Sequence, residues 1–165
     1  MSIEIEEGSG VKDQFRSVNA QVPDGISVVP SGIDEYDSRR FIIYPDGTDT
    51  VRKLLEQNDV DYVSLDTEED TSTLVLHSEE IIIPTIYIAY TVVRDNWDQI
   101  KWALEKLSGY YSKRYDQDVE FTVEQETESG ETVRLTYKGP ADELETLSEQ
   151  IASIVGVEVE DERDS

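Results

Sequence analysis

The chain has no cysteine among its 165 residues. That single absence removes disulfides, thiolate nucleophiles and Cys-ligated zinc. Histidine occurs once, as His77 in the apolar run TLVLH. One imidazole cannot build a Ser-His-Asp triad or a His-x-x-x-His metal motif, so His77 reads as a structural residue of a strand. The glycines form no G-x-G-x-x-G or phosphate loop, and no EF-hand spacing is present. Basic residues number 14 against 38 acidic ones, and direct binding to nucleic acid is not expected without a cationic surface for phosphates. The longest uncharged run, Ile81 to Val93, has thirteen residues, where a spanning helix needs about 20. No membrane span is expected, and with no complete motif for either, no cofactor and no metal.

What is present is acid. The formal net charge is -24, and self-repulsion at such a charge is large at low ionic strength. Disorder is one reading, but clear apolar periodicity in the middle of the chain confines it to the ends. Mimicry of nucleic acid is a second, and it calls for rows of carboxylates along one face. The third is salt adaptation, in which dispersed carboxylates keep a surface hydrated. Here the acids are dispersed, Lys is scarcer than Arg, and Thr and Val are plentiful. In these respects the composition resembles the cytoplasmic proteins of halophilic archaea, which implies a cytoplasmic location in high salt. The start, MSIEIEEGSG, has no basic segment ahead of an apolar one, in keeping with a protein that carries no secretory signal.

The expected fold class is α+β, in four parts. Residues 1–40 carry Gly8, Gly10, Pro23, Gly25, Pro30 and Gly32 with only short apolar clusters, and read as an irregular arm with one or two edge strands at most. Residues 41–115 are expected to hold a β-α-β-β portion and one long central amphipathic helix. Its first strand is Phe41 to Tyr44, its first helix is capped by Thr48 or Asp46 and ended by Asn58, and further strands run from Val60 to Leu65 and from Thr73 to His77. Residues 116–156 read as a β-hairpin plus helix sharing the same core. Val119, Phe121 and Val123 alternate on one strand and Val133, Leu135 and Tyr137 on the other, with Ser129-Gly130 at the turn. On the opposite face Glu120 and Glu124 meet Arg134 and Lys138, a pattern suited to a wet surface. Leu144, Leu147, Ile151 and Ile154 form the stripe of the last helix, with Gly156 as its C-cap. Residues 157–165 are an acidic tail.

The segment from Ile81 onward has two readings. Ile86, Tyr90, Val93, Trp97, Ile100, Leu104, Leu107 and Tyr111 make an unbroken heptad seam, which predicts one helix from about Thr85 to Tyr115. The rival is a strand to Val93 followed by a shorter helix from Asn96, capped by Asp95 with Asp98 as its capping-box partner. Charge sets the segment apart. Residues 81–115 hold five basic and three acidic residues, both tryptophans and five of the nine tyrosines, while every other part of the chain is net acidic. Such a helix reads as a buried core element, or as one with a second face that meets a partner, since Tyr, Trp and Arg dominate interface energetics. The candidate interface residues are Tyr87, Trp97, Lys101, Trp102, Tyr110 and Tyr111.

Chemistry is harder to find. The Asp-Gly-Thr of YPDGTDT resembles the haloacid-dehalogenase phosphatase loop, but Tyr44 stands where that family needs a nucleophilic Asp, and a tyrosine cannot form its aspartyl-phosphate. The β-α-β unit followed by IPTIYI is also similar to the thioredoxin and glutaredoxin fold over residues 41 to about 108. Its active-site turn reads Pro45-Asp46-Gly47-Thr48 where cysteine is required, which implies a redox-dead relative. The function expected is therefore non-enzymatic: an interaction or assembly module of a halophilic cytoplasm that pairs with a partner protein or with itself through the 85–115 helix. An acidic nucleic-acid mimic and a redox-dead thioredoxin-like domain are the alternatives.

Overall fold

A computed structural model describes residues 2–8, 25–56, 61–62, 71–76 and 79–155. The fold is α+β. Its strands are β1 (Ser2–Gly8), β2 (Ile26–Val29), β3 (Gly32–Tyr36), β4 (Arg39–Pro45), β5 (Asp61–Tyr62), β6 (Thr71–Leu76), β7 (Ile81–Ile88), β8 (Val119–Glu126) and β9 (Thr132–Gly139). Among the described residues the helices are α1 (Thr48–Leu55), α2 (Tyr90–Asp95), α3 (Trp97–Arg114) and α4 (Leu147–Val155), with a 3-10 turn over Ala141–Thr146 leading into α4. His77, Asn58, Gly156 and the 157–165 tail lie outside the described residues.

Among the described residues six strands form the larger sheet, in the order β1-β9-β8-β7-β2-β5. The hairpin β8-β9 has the expected pairing, with Phe121 opposite Tyr137 and Val123 opposite Leu135. Gly130 closes it at φ 89, in the left-handed region that glycine tolerates. Its amide donates to the Thr127 carbonyl at 2.9 Å, while the Thr127 amide reaches the Glu131 carbonyl at 2.8 Å. One face of the sheet carries Val119, Phe121, Val123, Leu135 and Tyr137, continued across β7 by Ile83, Ile86 and Ile88. This apolar face shares one core with Ile100, Leu104 and Leu107 of α3 and with Leu144, Leu147 and Ile151 of the C-terminal turn and helix. The Gln125 side-chain amide donates to the Ile151 carbonyl at 2.8 Å and so pins α4 to the same face.

The long helix expected over residues 85–115 is corrected. Residues 81–88 are a strand, a two-turn helix follows, and α3 begins only at Trp97. Three local causes explain this. Ile81, Ile82 and Ile83 are β-branched, and Pro84 forces the residue before it into extended backbone. Pro84 also has no N–H to donate, and the ladder with β8 shifts register between Ile83 and Ile86, a bulge that absorbs the missing bond. Finally β7 runs between β8 and β2 with both faces covered, so residues of both parities are apolar and the run imitates a helix seam. The rival reading is corrected in its bounds as well. The strand ends at Ile88, not Val93, and the N-cap of α3 is Asn96, not Asp95. Asn96 lies at φ -138, ψ 50, between the two helices. Its carbonyl accepts the Gln99 amide at 3.1 Å and its side-chain amide donates to Gln99 Oε1 at 3.0 Å.

Two further expectations change. Residues 1–40 are not simply an irregular arm: β1 edges the larger sheet, β2 lies inside it between β7 and β5, and β3 pairs with β4. Nor do the strands flanking α1 make a β-α-β unit with each other. β4 belongs to a three-stranded sheet ordered β3-β4-β6 and pairs in parallel with β6, whereas β5 pairs in parallel with β2 in the larger sheet. The thioredoxin likeness fails on the same fact, because its strands 41–45 and 81–88 sit in different sheets. Thr48 does not cap α1 either. Gly47 holds the cap position at φ 89, and the Thr48 hydroxyl donates back to the Pro45 carbonyl at 2.7 Å.

Candidate functional site

The six residues singled out in the sequence separate into three environments. Tyr87 is fully buried in β7 and Tyr111 is 4% exposed, so neither can meet a partner. Trp97, Trp102 and Tyr110 are partly buried, packed by one side against the core. Lys101 is exposed.

The division follows from helical geometry. Ile100, Ala103, Leu104, Leu107 and Tyr111 point inward from α3, which leaves positions 102, 106, 110 and 114, each four apart, as a stripe along the flank of the helix. Lys106 places its ammonium 5.6 Å from the centre of the Trp102 ring. Arg114 places its guanidinium 4.0 Å from the centre of the Tyr110 ring. The stripe thus alternates aromatic and cationic side chains, and each cation rests on the aromatic one turn before it. Lys106 and Arg114 were outside the candidate set, although the four-residue spacing from Trp102 and Tyr110 was the signal that could have found them. Beside the stripe, Lys101 and Lys113 are exposed with the acids Asp98 and Glu105.

At its C-terminal end α3 also borders a cleft of about 670 Å³. Tyr110, Tyr111 and Tyr115 form one wall, the Pro45-Asp46-Gly47 turn and Thr50 of α1 another, and Glu80 to Ile83 with Glu120, Thr122 and Arg134 a third. Burial raises the Tyr111 hydroxyl above its ordinary pKa, helped by Tyr110, Tyr115 and Asp46 nearby.

The polar face of the larger sheet differs from the wet surface expected of it. Glu124 is 2% exposed and accepts the Arg134 Nε–H at 2.7 Å. Burial raises the Glu124 carboxyl above its ordinary pKa, and Arg134 offsets this only in part. Lys138 and Glu120 pair more loosely, at 3.6 Å. The neighbouring Glu126 joins two elements. One of its oxygens accepts the Tyr90 amide, the first of α2, at 2.9 Å, and its charge acts on the buried Tyr87 phenol. Burial, and then the charges of Glu126 and Glu124, hold that phenol protonated well above its usual range.

Tyr44, at the position of the phosphatase nucleophile, is 3% exposed in β4. Among the described residues no group of three or more His, Asp or Glu could hold a metal ion, and no helix is long and apolar enough to cross a membrane. No family model, curated protein or solved structure matches the chain.

Proposed function

We propose that the protein is a non-enzymatic binding module of a salt-adapted cytoplasm that holds an acidic partner protein against the flank of α3. The observation that carries this reading is the stripe Trp102-Lys106-Tyr110-Arg114, with a cation seated on each ring, in a chain whose net charge is -24. Each ring is already desolvated on one side by the core, so a partner need cover only the other side to make a dry contact. The cations supply the complement to an acid-rich surface. In concentrated salt, where charges act over roughly 3 Å at 1 M, only cations held at touching distance retain their effect, and stacking on the rings holds them there.

The nucleic-acid mimic is supported less well. Glu120 and Glu124 of β8 face Lys138 and Arg134 across the hairpin, so both acids are paired within their own sheet. The test is copurification of the wild-type chain and of a Trp102→Ala, Tyr110→Ala double variant from lysate in about 2 M KCl, where long-range charge effects are screened. A single acidic protein retained by the wild type and lost by the variant supports the proposal. A chain that comes down alone and monomeric, or a partner retained equally by both forms, refutes it.

A further inference from the structure

The cleft at the end of α3 raises a separate question, independent of any partner protein. Its volume of about 670 Å³ lies within the range of small-molecule sites, about 300–1,000 Å³. The rings of Tyr110 and Tyr111 meet edge to face, 5.1 Å apart at 77°. Those of Tyr111 and Tyr115 stack 5.8 Å apart at 25°. Three rings so arranged line one wall with aromatic groups in two orientations, and the negative face of an aromatic ring attracts cations. The Arg114 guanidinium, 4.0 Å from the Tyr110 ring centre, is a cation already held by this cluster.

The charged lining has the matching sign. Among the described residues, Asp46, Glu80 and Glu120 border the cleft together with Arg134, and Arg134 directs its charge into Glu124 at 2.7 Å. Lys138 touches Glu120 from outside the lining, at 3.6 Å, with its own side chain 56% exposed. An anion would be opposed by this lining. A metal ion needs converging hard oxygens, and no such group occurs among the described residues. A bulky, weakly hydrated organic cation uses both the ring faces and the dispersed carboxylates. We propose that the cleft binds a small organic cation whose charge is sheathed in alkyl groups, of the quaternary ammonium class.

Choline chloride is the probe, titrated into the full chain at constant ionic strength and followed by the ring-current shift of its methyl protons. Its neutral carbon isostere, with a tert-butyl group in place of trimethylammonium, is the control. The expected result is saturable binding of choline at least about tenfold tighter than the isostere. Tyr115→Ala and Glu80→Gln, both at exposed side chains, should each weaken it roughly 2- to 30-fold with thermal melting unchanged. Equal affinity for choline and its isostere, no saturable choline binding, or binding unmoved by both substitutions overturns the proposal.

Discussion

Replacing Glu126 with Ala should unfasten the junction between β7 and α2. Its carboxylate accepts the Tyr90 amide at 2.9 Å and its charge acts on the buried Tyr87 phenol, while the cap residue Ala89 offers α2 no side-chain bond of its own. Losing a helix N-cap costs about 0.5–2 kcal/mol. Glu126→Ala should therefore lose about 0.5–2 kcal/mol, which for a chain of this size lowers Tm by about 1–8 °C. Glu126→Gln keeps an acceptor oxygen and should lose about half as much. Urea and thermal melts in constant salt measure the loss, and hydrogen exchange at the Tyr90 amide locates it. Tyr87→Phe supplies the second edge of a double-mutant cycle, which reads how much of the loss passes through the buried phenol. A loss under about 0.5 kcal/mol for Glu126→Ala, with Tyr90 exchange unchanged, would refute the reasoning.

Arg134→Ala leaves the buried Glu124 carboxylate without its partner and should cost about 1–2 kcal/mol at neutral pH, held to that because Arg134 is itself partly exposed. The folded pKa of Glu124 is raised, so its charged form opposes folding above that pKa; the deficit should shrink as pH falls toward the ordinary carboxylate range, and urea melts across the range check it. Asp37 and Ser38 turn β3 into β4 with φ 52 and 65, so Ser38→Gly should gain about 0.5–1 kcal/mol in the same melts. With a net charge of -24, Tm should rise steadily as KCl is raised from about 0.1 M toward 1 M and the screening length contracts from about 10 Å to 3 Å; a Tm that is flat over this range contradicts the salt-adapted reading.

The parts of the fold legible in the sequence were those whose pattern is local. Val119, Phe121 and Val123 alternate against Val133, Leu135 and Tyr137 around a Ser-Gly turn, and the hairpin follows from that alone. The inward stripe of α3 from Ile100 to Tyr111 was equally plain, because solvent covers its other flank. β7 was misread because both its faces are covered, which erases the alternation that marks a strand and leaves a run able to carry a heptad seam. β2 was read as no more than an edge strand, whereas its four residues are buried and it lies between β7 and β5. The burial of Glu124 and the grip of Glu126 on Tyr90 depend on residues 36 apart in the chain meeting in space, which no window of sequence reveals. Of the candidate interface, Trp97, Lys101, Trp102 and Tyr110 remain at the surface. Tyr87 does not, since the helix that would have presented it is a strand.

The most direct test of binding through the α3 flank is the affinity of the captured partner for wild type, Trp102→Ala and Lys106→Glu, measured from about 0.5 to 3 M KCl. Binding through the aromatic and cationic stripe should persist or strengthen toward high salt for the wild type. Trp102→Ala should weaken it at least about tenfold, or about 1.4 kcal/mol, at every salt. Lys106→Glu should weaken it most at the lowest salt, where repulsion from an acidic partner is least screened. Affinity that collapses as salt rises and is indifferent to Trp102 would place the contact elsewhere on the acidic surface and contradict the proposed function.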